Sequence, residues 1–141
     1  MSTDGQHAPT QVSAQHGVDR YDDFDAVLAL VDEAIKTLNL PDDYVRPGDR
    51  VVLKPNWVKE HDERHPGPAQ WEHVVTHPAV IEAVIRWVAG RLNGDGSIVV
   101  CDAPQTDSSF STLSAYCSLD EMIERCRAVF PGPKIELLDL R

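Results

Sequence analysis

The sequence predicts an α/β fold: a mostly parallel sheet in a three-layer arrangement around a βαβαβ core. Two short apolar runs, Val51-Val52-Leu53 and Ile98-Val99-Val100-Cys101, have the length and β-branched content of buried strands. Each ends abruptly in polar residues, Lys54-Pro55-Asn56 and Asp102-Ala103-Pro104. Between and beyond them, apolar residues recur every three or four positions, the spacing of amphipathic helices. Strand and helix therefore alternate, the pattern of parallel sheets built with right-handed crossovers.

Residues 1–20 mix Ser, Thr, Gln, His and Gly and are expected to be flexible, with Val12 and Ala14 alternating as a short extra strand; residues 21–141 form the domain. Phe24, Val27, Val31, Ile35 and Leu38 predict a helix over 24–40, capped by Asp22 or Asp23 and stopped by Pro41. Pro47-Gly48-Asp49 turns the chain into the first apolar run. The connection over 57–75 is long, with Pro66-Gly67-Pro68 near its middle, and loops of such length are usually functional or mobile.

Pro78 suits a first helical turn, and Ile81, Val84, Ile85, Val88 and Leu92 then share one face until Gly94 and Gly96 end the helix. The stretch over 102–115 reads as a polar, Ser/Thr-rich connection. A further helix is expected from Ser118, whose spacing to Glu121 is that of a capping box, with Leu119, Met122, Ile123 and Cys126 turned inward. Pro131-Gly132-Pro133 breaks it, and 135–140 reads as the last strand. Arg141 follows that strand at once, so the expectation is a partial domain, truncated or completed by a partner chain or a dimer along the last strand edge.

Composition narrows the function classes. Asp and Glu number 23 against 13 Lys and Arg, a net charge of −10 that argues against nucleic acid and against an anionic membrane surface. The N-terminus lacks a basic segment followed by an apolar one, and no apolar run is long enough to span a bilayer, so the expected location is the cytoplasm. Cys101, Cys117 and Cys126 are an odd number at wide spacing and give neither a disulfide framework nor a metal or redox pair. Cys101 and Cys126 instead read as core-filling residues.

Open α/β sheets place ligands at the carboxyl ends of their strands, which selects the candidate site. Lys54 supplies a cation suited to a carboxylate or phosphate, and Asn56 an amide donor and acceptor. Thr76 and His77 stand at a predicted helix N-terminus, where free N–H groups favour anions and a neutral imidazole; Thr76 also suits an N-cap. His77 and Asp102 are the candidate acid/base pair, and Thr106 and Ser108 add hydroxyls on the next loop.

Two His-x-x-x-His spacings, His61 to His65 and His73 to His77, fit a metal in principle. The first lies against Pro66-Gly67-Pro68, and neither has the Glu of the metalloprotease motif, so no metal ligands are assigned. No phosphate loop, dinucleotide fingerprint or nucleophile elbow is present. The expected function is that of an enzyme, or part of one, acting on a small anion; the alternatives are a ligand-sensing or subunit-interaction module, or an inactive fragment.

Three ordered motifs carry a family resemblance: Pro47-Gly48-Asp49-Arg50-Val51-Val52-Leu53-Lys54-Pro55-Asn56-Trp57-Val58, Thr76-His77-Pro78-Ala79-Val80-Ile81, and Ile98-Val99-Val100-Cys101-Asp102-Ala103-Pro104. Together they resemble the N-terminal part of the bacterial and archaeal "domain of unknown function 362" family, DUF362. The resemblance implies an undetermined activity; some members carry ferredoxin-like segments with iron–sulfur ligands. This chain has no clustered cysteines, so that centre is not carried over and the cofactor is left unknown. It also has Val75 where relatives usually show a Gly before Thr-His-Pro, and Gln105 where they show a small residue after the Asp motif.

Overall fold

A computed structural model describes residues 11–65 and 68–141. Pro66 and Gly67, in the predicted loop centre, lie outside the described residues, as does the first half of the N-terminal segment expected to be flexible. The elements run α1 (Phe24–Thr37), β1 (Arg50–Leu53), a 3-10 turn (Pro68–His73), α2 (Pro78–Leu92), β2 (Ser97–Asp102), α3 (Phe110–Cys117), α4 (Leu119–Val129) and β3 (Lys134–Asp139). The three strands form one parallel sheet in the order β1-β2-β3, with Val51 opposite Ile98 and Ile98 opposite Ile135. The expected βαβαβ core is present.

Burial follows from the strand pleat. Val51, Leu53, Ile98, Val100, Ile135 and Leu137 face one way and join the core with Ile81, Ile85, Val88 and Leu92 of α2 and Leu119, Met122, Ile123 and Cys126 of α4. Side chains of this kind contribute roughly 1.5–3 kcal/mol each when fully buried. The helices α2 and α4 pack on one another, and α1 lies along α2. On the opposite face, Val52 and Leu138 of the outer strands are 59% and 39% exposed, while Val99 and Cys101 of the central strand are buried. Strands and helices alternate along the chain, the α/β class expected.

Several local expectations differ from what forms. Residues 11–18 are irregular, so Val12 and Ala14 make no strand. Helix α1 ends at Thr37, a turn before Pro41, because Leu38 closes it and Asn39 turns left-handed at φ 47°. Asp23 is its cap, accepting from the Ala26 amide. Asn93, at φ 48°, ends α2 ahead of Gly94.

The stretch read as a connection contains α3, capped by Ser109 accepting from the Thr112 amide. Ser118 consequently closes α3 as well as opening α4. Its left-handed backbone gives no side-chain cap to α4, and the capping box with Glu121 does not form.

A charged cluster ties α2 to α4. Glu82, only 4% exposed at its side chain, accepts from Arg86 Nη2 at 2.7 Å and from Arg125 Nη2 at 2.9 Å.

Where β1 and β2 start side by side, Gly96 has φ 119°, and a Cβ there would meet the Asp49 carbonyl oxygen at 2.5 Å. Gly96→Ala is accordingly expected to cost about 2 kcal/mol, read as a lower urea midpoint at unchanged slope.

Candidate functional site

The carboxyl end of the sheet is organised around Asp102, the last residue of β2. The strand delivers this carboxylate beside the chain leaving β1. Its Oδ2 accepts from the Trp57 amide at 2.8 Å, and its Oδ1 from the Ala103 amide at 2.8 Å and from Lys54 Nζ at 2.9 Å. The Asp102 side chain is 8% exposed and that of Lys54 65%, so the carboxylate is anchored while the ammonium faces solvent. Burial alone would raise the Asp102 pKa; the Trp57 amide, Lys54 and the Ala103 amide outweigh it and hold the group below the usual carboxylate range.

Asn56 and Thr76 join the two sides of the rim. The Asn56 amide donates to Thr76 Oγ1 at 2.9 Å, and the Thr76 amide donates back to the Asn56 carbonyl at 2.8 Å. Next to them, Trp57 and Val75 pair as an antiparallel bridge. These bonds set Thr76 beside Lys54 at the mouth of a groove of about 280 Å³, whose walls are Leu53 from β1 and Val80, Ile81 and Val84 from α2. The groove is polar at one end and apolar along its length.

His77 takes a different place. It is the N-cap of α2, its Nδ1 accepting from the Ala79 amide at 3.1 Å, so in the neutral ring the proton sits on Nε2. Thr76, the preferred capping type, is occupied by Asn56 instead. The His77 ring stacks on Tyr21 with centroids 3.9 Å apart, and Nε2 lies 3.9 Å from Glu72. Burial lowers its pKa, with Glu72 opposing. His77 walls two cavities on the Tyr21 side and none shared with Lys54. His77 and Asp102 thus have separate hydrogen-bond partners, while Lys54 bonds Asp102 and Thr76 bonds the Asn56 backbone.

The loop after β2 is fastened to the loop after β1. The Gln105 amide donates to the Val58 carbonyl at 2.9 Å, Lys59 Nζ bonds Asp107 at 2.6 Å, and buried Ser108 donates to Glu60 at 2.6 Å. Arg141, just past β3, donates to the carbonyls of Gln105 and Ser108. Ser108 is therefore a rim brace, and Thr106 is exposed without a side-chain hydrogen bond among the described residues. The histidine spacings do not pair as written: His65 and His73 come together instead, ring centroids 5.8 Å apart. Among the described residues no group of three or more His, Cys, Asp or Glu is arranged to hold a metal ion.

Reading single residues missed the apolar walls of the groove and the role of the Trp57 amide. Val80 and Val84, one helical turn apart directly after Thr76-His77-Pro78, were the available signal.

With this geometry in place, the family model for a domain of unknown function, DUF362, matches residues 51–135, more than half of the chain. The chain belongs to the DUF362 family. The matched span of this DUF362 chain runs from β1 into β3 and includes Lys54, Thr76, His77 and Asp102. No curated protein and no solved structure matches it. No helix among its described residues is long and apolar enough to cross a membrane.

Proposed function

We propose that this DUF362 chain binds a small ligand with an anionic head and a short apolar tail, the head on Lys54 and Thr76 and the tail along Leu53, Val80, Ile81 and Val84. The observation that carries this reading is the groove itself, which joins an exposed ammonium to an apolar channel at the carboxyl edge of a parallel sheet. Lys54 Nζ already bonds Asp102 and, at 3.3 Å, the Pro55 carbonyl, but an ammonium has three donors and this side chain is open to solvent.

Binding rather than turnover is favoured by the state of the acid/base candidates. Asp102 has both oxygens committed and a depressed pKa, which disqualifies it as a proton donor near neutrality. His77 faces another cavity. Ser108 is committed to Glu60, and Thr106 on the same loop is exposed without a side-chain hydrogen bond among the described residues.

Calorimetric titration with hexanoate, and with hexanol as the uncharged control, tests the assignment. Hexanoate is expected to bind, and Lys54→Ala to weaken it about tenfold or more while lowering stability by under about 1 kcal/mol. Equal affinity for acid and alcohol, or undiminished binding by the variant, would dispose of the ammonium clamp.

A further inference from the structure

A second cavity lies where the start of α1, the first half of α2 and α4 meet, independent of the rim groove. We propose that it is a separate binding site for a planar aromatic anion, held by Arg125 and stacked against Tyr21, Trp71 and Tyr116. The cavity measures about 480 Å³, within the range of small-molecule sites, and these residues line it together with Glu82 and Arg86.

Charge is the first argument. Glu82 is a single, nearly fully buried carboxylate, yet two guanidinium groups share it. The cluster thus carries one net positive charge inside a chain whose total is −10. Arg86 is the embedded partner: 27% exposed, it lies over the Phe24 ring at 4.7 Å, and its Nε is buried with no hydrogen-bond partner among the described residues. Arg125 is the open one, 55% exposed, and among the described residues its side chain bonds only Glu82, through one Nη2. Its other N–H groups have the fork geometry that matches a carboxylate.

The walls supply the second argument. Tyr21 and Trp71 both pack on His77, with ring centroids 3.9 and 5.2 Å from it, so these aromatics are held in place before any ligand arrives. His77 itself adds no charge near neutrality, because burial depresses its pKa. Asp22 and Glu72 line the adjoining cavity across His77, and Glu72 is near enough to act on the Cys117 thiol of this wall. Aromatic faces around one free guanidinium select a flat ring bearing a negative group, and Cys117 in the same wall stays a thiol, its pKa pushed up to about 12 by burial.

Titration of the full chain with benzoate, followed by calorimetry and by two-dimensional NMR, is the test, with benzyl alcohol as the uncharged probe. Benzoate is expected to shift the resonances of Trp71 and Tyr116 and to bind about tenfold or more tightly than the alcohol. Arg125→Gln, which leaves Glu82 paired with Arg86, should remove that advantage, and Tyr116→Ala should weaken benzoate in a background where every charge is kept. Lys54→Ala should leave benzoate binding unchanged, which separates this site from the rim groove. The proposal is overturned by equal affinities for benzoate and benzyl alcohol, by undiminished binding in Arg125→Gln, by loss of binding in Lys54→Ala, or by no resonance shifts at millimolar benzoate.

Discussion

Asp102→Ala should lower the unfolding free energy by about 3 kcal/mol, several times the cost of Lys54→Ala, although the two residues form one ion pair. The asymmetry comes from what each leaves behind. Without the carboxylate, the buried Trp57 amide loses its acceptor, which costs about 1–3 kcal/mol, and the Ala103 amide, on an exposed residue, is left to water. Without the ammonium, Asp102 still accepts from both amides, and the partner removed is the solvent-facing end of the pair.

The same carboxylate has a pH signature. Its folded pKa is depressed, so its contribution is fully present above the ordinary carboxylate range and is lost as pH falls through the depressed value. The stability gap between wild type and Asp102→Ala should therefore be widest near neutrality and narrow in acid. Chemical denaturation at a series of pH values measures it, and a gap independent of pH would refute the assigned role.

Glu82→Ala should be comparably damaging, at about 3 kcal/mol. It removes the one anion from beneath Arg86 and Arg125, leaving two neighbouring cations and an Arg86 Nε that already lacks a partner. The physical cause is isolation of charge rather than loss of packing. Replacing Glu82, Arg86 and Arg125 together by apolar residues of similar volume should consequently cost less than Glu82→Ala alone. A triple variant less stable than the single one would show instead that packing governs this junction.

Much of the frame was legible because it rests on local patterns. The runs at 51–53 and 98–101 are strands because β-branched residues suit a pleated, enclosed sheet, and Pro78 does open α2. The helix α3 was hidden by its composition: Ser109, Ser111, Thr112 and Ser114 look like loop, yet Leu113 and Cys117 are buried and tertiary contacts hold the segment helical. The Ser118 box failed for a related reason, since a residue that terminates one helix in the left-handed region has no freedom to cap the next.

At the candidate site, the Lys54–Asp102 rim could be read from strand ends, a rule of topology. The orientation of His77 could not, because it depends on which of two adjacent side chains Asn56 captures. The pairing of Glu82 with Arg86 is visible at i,i+4 spacing, whereas Arg125 joins it from 43 residues away.

The cross-fastened rim has a mechanical consequence. Val58 with Gln105, Lys59 with Asp107, Glu60 with Ser108, and Arg141 with both Gln105 and Ser108 bind the loops after β1 and β2 and the residue past β3 into one brace. Residues 58–60 and 105–108 can move only together. The ordering of these segments is completed when the chain folds rather than charged against each encounter with a ligand.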